Sequence, residues 1–201
     1  TDFNTVQLHL LYDNGRPYSV HKKIEGTVLA DKMNDLTSEE VKTISSEIAK
    51  FMYQLHNINY KNEKIFNVTN IGLNLTDFLD ELLNLHVSDE DKVFWKYDEF
   101  KEKEQNTLVH GDLNSSNILL DENNHIAAII DFGFGGYGNP YFDISRIIGR
   151  CPENFKEEII RSYEQLSNSK LDYPVLNQEI DIWKNIDNSY INYMRKIGIY
   201  E

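Results

Sequence analysis

The 201-residue sequence predicts an α+β fold in which helices dominate and two β-hairpins carry the strands. Three observations predict it. Asp13-Asn14-Gly15 separates two alternating stretches, Val6 to Tyr12 and Tyr18 to Ile24; Asn-Gly accepts the positive φ angles of a type I′ hairpin turn. The apolar runs Asn117 to Asp121 and Ile126 to Ile130 are split by Glu122-Asn123-Asn124-His125, a polar turn that makes a second hairpin. Elsewhere apolar residues return every three or four positions, as at Ile44, Ile48, Phe51 and Leu55, which is the period of a helix with one buried face.

Taken in order, the first hairpin leads into Lys23-Ile24-Glu25-Gly26, a connecting segment. Thr37-Ser38-Glu39-Glu40 has the spacing of a capping box and opens the first long helix, which closes at Leu55-His56. His56 is expected to pack at the helix end rather than ligate, because histidine is favoured near a helix C-terminus. Asn57 to Asn74 is the least patterned stretch and reads as a loop. Asn74-Leu75-Thr76-Asp77 then precedes the amphipathic Phe78, Leu79, Leu82 and Leu83, and Ser88-Asp89-Glu90-Asp91 opens a helix reaching toward Glu104. After the second hairpin, Phe142 to Gly149, Glu153 to Leu166 and Asn177 to Ile197 are expected helices.

Composition narrows the function classes. With 40% hydrophobic and 12% aromatic residues, the chain can bury the core of a single domain. A formal net charge of −13 would repel a nucleic-acid backbone, so nucleic acid is an unexpected partner. The same acidity serves ordinary solubility or steers a cationic small molecule. Cys151 is the only cysteine, which excludes an intrachain disulfide and suits a reducing, cytoplasmic setting. No secretory signal is legible at Thr1 to Leu10, and no apolar run is long enough to cross a bilayer. The sequons at Asn67 and Asn74 are therefore read as coincidence.

The densest chemical information lies in His110-Gly111-Asp112-Leu113-Asn114-Ser115-Ser116-Asn117 and, fourteen residues beyond Asn117, Asp131-Phe132-Gly133. Phosphoryl transfer needs an acceptor hydroxyl held in line and phosphate charge neutralised by a divalent cation, hence a carboxylate base and hard oxygen ligands. Asp112 and Asn117 are five residues apart, the spacing of a loop that aims an aspartate at the substrate and turns an asparagine back toward a metal. The intervening hairpin would bring Asn117 and Asp131 to adjacent strand ends. Either tripeptide alone is common by chance; the ordered combination within strand patterning is not.

These residues, with Gly138-Asn139-Pro140-Tyr141-Phe142-Asp143-Ile144, resemble the aminoglycoside phosphotransferase and choline kinase superfamily of the kinase-like fold. Glycine at 111 in place of arginine, and the absence of an Ala-Pro-Glu signature, separate the chain from protein kinases. The resemblance implies Asp112 as catalytic base, Asn117 and Asp131 as Mg²⁺ ligands, and Asp143 as a buried brace of the catalytic loop. His110 becomes a packing and hydrogen-bonding residue of that loop. It also implies ATP or GTP as donor, with the backbone of Lys23, Ile24 and Glu25 and the residue Ile130 on the nucleotide side. Residues 1–26 then correspond to a remnant hairpin and hinge of the small lobe. Residues 27–201 correspond to the helical large lobe, with its catalytic loop at 110–117 and metal loop at 131–136. Most of the small lobe, including its phosphate-covering loop and lysine, has no counterpart, as expected of a fragment or of a shortened relative.

The expected activity is transfer of the nucleotide γ-phosphate to a hydroxyl of a small, cationic molecule, an aminoglycoside antibiotic first, so that the protein would confer resistance. A choline, sugar or amino-alcohol kinase and a non-catalytic binding module remain alternatives. Asp77, Asp80, Glu81, Glu153, Glu157 and Glu158 are candidate acids for a cationic acceptor, against the commoner role of solvated helix face. Trp183, Tyr190 and Tyr193 are either an aromatic wall for an ammonium group or one buried helical stripe. The oligomeric state is left open.

Overall fold

The computed structural model describes residues 9–14, 16–20, 22–58, 107–196 and 198. The helices expected between Phe78 and Glu104, most of the loop after Asn57, and the acids Asp77, Asp80 and Glu81 lie outside the described residues. The chain begins with β1 (His9–Asp13) and β2 (Arg16–Val20), paired antiparallel with Asp13 opposite Arg16. Asn14 has φ 49°, the left-handed conformation that an Asn-Gly turn supplies. The second strand starts two residues before the expected Tyr18 and stops at Val20, short of Ile24.

Residues 22–26 lead to β3 (Thr27–Val28) and a single helical turn, α1 (Leu29–Lys32). β3 joins the second hairpin, β5 (Ile118–Leu120) and β6 (Ile126–Ile129), in a three-stranded antiparallel sheet of order β3-β5-β6. Gly26 permits this junction: a Cβ there would stand 2.8 Å from the Leu120 carbonyl oxygen. In the hairpin turn Asn124 takes a left-handed φ of 60°, and Asp121 accepts from the amides of Asn123 and His125. A third small sheet pairs β4 (Thr107–Val109) with β7 (Gly136–Gly138). It clasps the chain entering the 110–117 loop to the chain leaving the 131–136 loop.

Helix α2 (Ser38–His56) opens on the expected capping box, with Thr37 Oγ1 accepting from the Glu40 amide and Glu40 accepting from the Thr37 amide at 2.8 Å. Val41, Ile44, Ile48, Met52 and Leu55 are buried on one face. They pack chiefly on α4 (Glu153–Ser167), through its Phe155, Ile159, Ile160 and Tyr163. Each such side chain fully buried contributes roughly 1.5–3 kcal/mol of hydrophobic stabilisation. Leu113, Ile118 and Leu120 from the 110–120 segment join the same core, as do Ile144, Ile147 and Ile148 of α3 (Tyr141–Ile148). The site is thus bolted to the most buried part of the molecule.

Helix α5 (Tyr173–Lys196) packs on α3 and starts four residues before the expected Asn177. The reason is a cap that periodicity does not reveal: Asp172 Oδ1 accepts from the Val175 amide at 3.1 Å, so Pro174 falls in the first turn, where its missing N–H is tolerated.

Candidate active site

Val109 ends β4 in the core, and the chain turns into the loop through His110, which is fully buried. The His110 Nδ1 accepts from the Asp112 amide at 3.3 Å, and its Nε2 donates to the Ile130 carbonyl at 3.0 Å. Those two bonds specify a neutral imidazole with the proton on Nε2. The ring lies against Phe132 at 4.3 Å between centroids and meets Phe51 edge-on. His110 therefore ties the 110–117 loop to the segment entering Asp131.

Gly111 follows with φ 84°, a conformation that side chains resist and that glycine takes freely. The turn points two consecutive amides at one carboxylate. Asp143 Oδ2 accepts from His110 N at 2.8 Å and Asp143 Oδ1 accepts from Gly111 N at 2.9 Å. Asp143 is fully buried, and its third donor is His56 Nε2 at 3.1 Å, whose Nδ1 accepts from the Tyr163 hydroxyl at 2.8 Å. Burial, and then the Asp143 charge, push the Tyr163 phenol well above its ordinary range, so it stays a donor. A charge with no exposure is held by three directed hydrogen bonds.

Beyond this brace, Asn114 caps a short 3₁₀ turn over Ser115–Asn117 by accepting from Ser116 N at 2.9 Å, while its amide donates to the Asp112 carbonyl at 3.0 Å. Asn117 Nδ2 donates to the same carbonyl at 2.9 Å and to Asp112 Oδ2 at 3.3 Å. With its NH₂ turned to Asp112, Asn117 has Oδ1 to offer as an oxygen ligand. The Ile130 amide donates to the Asn117 carbonyl at 2.9 Å, extending the hairpin by one rung beyond Ile118 opposite Ile129. Asp131 is the next residue. It is exposed and takes φ 64°, ψ 61°, a left-handed conformation that aspartate adopts more readily than most residues.

The structure brings Asp112, Asn117, Ile130, His110 and Asp143 into one hydrogen-bonded unit, with Asp131 continuing from its edge. Lys23 and Glu25 stand apart from it, exposed and paired with each other at 3.2 Å, and Ile24 is half-buried between them. Of the acids expected to serve an acceptor, the three described ones lie on α4: Glu153 pairs with Lys156 at 3.3 Å, Glu158 pairs with Arg161, and Glu157 is exposed. Trp183 is buried, with Nε1 donating to the Phe142 carbonyl at 3.3 Å, which answers to the buried stripe rather than an open wall. The Tyr190 and Tyr193 side chains lie outside the described residues.

One neighbour of Asp112 was not legible in the sequence. Arg146 of α3, with its side chain 9% exposed, donates from Nε to Asp112 Oδ1 at 2.8 Å. Its Nη1 reaches both Asp187 oxygens on α5, at 2.8 and 2.9 Å, and its guanidinium lies 4.5 Å above the Trp183 ring. Arg150 holds Asp187 Oδ2 from the other side at 2.9 Å. The available signal was an arginine one helical turn after Asp143 in a mostly apolar segment, Phe142 to Ile148. Asp187, 41 residues from Arg146, carries no local signal.

Solved structures share this fold. The GDP and kanamycin complex of APH(2″)-IIIa superposes with TM-score 0.74 at 20% identity, covering 98% of this chain and 71% of that one. The ADP-bound aminoglycoside phosphotransferase APH(2″)-Ib gives 0.60 at 19% identity over 94% of this chain and 70% of that one. APH(3″)-Id from Streptomyces rimosus, in complex with ADP and streptomycin, gives 0.59 at 15% identity over 90% and 74%. The kinase-like α+β architecture expected from the sequence is therefore the one observed. The sequence profile of the phosphotransferase enzyme family, APH, matches residues 5–176, most of the chain. On that match, the chain belongs to the phosphotransferase enzyme family.

Proposed function

We propose that this protein transfers the γ-phosphoryl group of ATP or GTP to a hydroxyl of a cationic small molecule, with aminoglycosides as the acceptor class. The observation that carries this reading is the rung between Ile130 N and Asn117 O, together with the Asn117–Asp112 bonds. In a chain of this family, these bonds support reading Asp112 as a base beside Asn117, with Asp131 the residue that follows the rung. Asp112, with its side chain 20% exposed, would orient the acceptor hydroxyl and take its proton late in the transfer. Asp143 and His110 would hold the loop still.

The residues fit a magnesium ion. Asn117 has its Oδ1 to offer, with its NH₂ turned to Asp112, and the exposed Asp131 carboxylate is a second hard oxygen donor. Mg²⁺ characteristically takes one or two protein oxygens and completes its shell with phosphates and water. When bound there it would supply charge neutralisation for the phosphates. The side chain of Ile130 and the backbone of Lys23, Ile24 and Glu25, beside the three-stranded sheet, would line the nucleotide. That assignment goes with a division into a hairpin and hinge at 1–26 and a large lobe at 27–201.

Support for the acceptor class comes from solved relatives of the fold, whose complexes contain kanamycin, streptomycin and gentamicin, and from the charge of −13, which favours cations. A nucleotide-dependent reaction and one unpaired cysteine suit the cytoplasm. Among the described residues no helix is long and apolar enough to cross a membrane. The test is phosphate transfer from labelled ATP and GTP to a panel of kanamycin, gentamicin, streptomycin, choline, ethanolamine and hexoses. Labelled aminoglycoside is the expected product. Labelled choline or sugar instead would move the chain to a metabolic kinase, and no label with intact nucleotide binding would make it a binding module.

A further inference from the structure

The ion pair on Asp112 has a shape that a merely structural salt bridge does not need. We propose that Arg146 is the positioning residue for Asp112, fixing the rotation of its carboxylate so that one oxygen is presented to the acceptor hydroxyl. This rests on the proposed phosphotransfer and adds to it a residue outside the motif loops.

A carboxylate on a loop has two soft torsions, and Asn117 restrains only one of its oxygens, at 3.3 Å. Arg146 Nε takes the other at 2.8 Å. With both oxygens held from opposite sides, the plane of the carboxylate is set. The guanidinium is itself over-determined. Its Nη1 is forked across Asp187, and its face rests on Trp183, which in turn is anchored to the Phe142 carbonyl. Arginine suits such a site because its planar fork makes paired directed bonds and stacks at once; a lysine ammonium has neither the fork nor the flat face. Asp143 and Arg146 share α3, so one short helix fixes the backbone of the loop through the first and the side chain of Asp112 through the second. Asp187 and Trp183 extend the chain of contacts to α5, with Arg150 holding Asp187 in place. The pair costs desolvation, which a surface position would have avoided. Reacting atoms misplaced by about 1 Å can lose on the order of a hundredfold in rate, so the orientation is worth having.

The experiment compares Arg146→Ala, Arg146→Lys and Asp187→Asn with wild type, with kanamycin as acceptor and ATP or GTP as donor. Melting temperature, nucleotide KM and kcat are measured, the last with and without millimolar guanidinium, against equal potassium chloride. The expected result is a kcat lowered about a hundredfold in Arg146→Ala, a nucleotide KM unchanged, and rate restored about tenfold by guanidinium but not by potassium, the loss being that of a displaced reacting group. Arg146→Lys should recover little, and Asp187→Asn should fall between. A kcat equal to wild type in Arg146→Ala overturns the proposal. So does a loss that guanidinium does not restore and that tracks a lowered melting temperature, since a packing role alone explains it. A wild-type chain that phosphorylates no acceptor overturns the proposed function, and this role for Arg146 with it.

Discussion

At the scale of residues, the most consequential group outside the candidate catalytic set is Asp143. Its two oxygens accept from the amides of His110 and Gly111 and from His56, and Asp143 itself is fully buried. Asp143→Ala would orphan buried donors on the loop that carries Asp112, and breaking a buried charged network of this kind costs about 3–5 kcal/mol. Urea unfolding should register that loss, and the variant should be inactive even at temperatures where it remains folded. The motif residues were legible because their chemistry and their spacing are local: five positions from Asp112 to Asn117, and a hairpin to Asp131. Arg146 and Asp187 were not, because their meeting is set by how α3 and α5 cross.

At the scale of elements, α2 shows how local signals fix a boundary. Thr37 and Glu40 close a capping box that the tetrapeptide announces. The hydroxyl of Thr37, then its amide, then the Asn124 side chain, hold the Glu40 carboxyl down to about 2 from its ordinary 4.5. The folded value lies below the unfolded one, so the stabilisation is complete above about pH 4.5 and fades as pH falls toward about 2. Thr37→Ala should cost ~1 kcal/mol at neutral pH. The gap between variant and wild type in thermal melts should narrow below pH 4.5, since protonating Glu40 weakens in wild type the Thr37 hydroxyl bond that the variant already lacks. Helix α5 gives the opposite lesson. Its expected start at Asn177 followed the apolar period, whereas the observed start at Tyr173 follows the Asp172 cap, a signal carried by one hydrogen bond.

At the scale of the whole molecule, helices and hairpin form one core: α2, α4, the 113–120 segment and α3 bury their apolar faces together. Fold class was legible because period-two and period-3.6 patterns each served one architecture. What partners a charged side chain across that core was not, because pairing depends on distances between elements. Cys151 reports on the intact whole. It packs at the core's edge between α3 and α4, and burial pushes its thiol up to about 12. Thiolate is the reactive form, so iodoacetamide should modify the native protein far more slowly than a small thiol. Cys151 is half-buried, so slow native labelling should rise steeply across the unfolding transition; native labelling as fast as that of a small thiol would contradict the raised thiol.

In the proposed reaction Asp112 serves the acceptor, not the nucleotide. The most direct measurement is single-turnover phosphate transfer by Asp112→Asn from labelled nucleotide to kanamycin, alongside calorimetric titration of the nucleotide with magnesium. Transfer should fall to background with nucleotide affinity near that of wild type. Transfer at the wild-type rate by Asp112→Asn would contradict it.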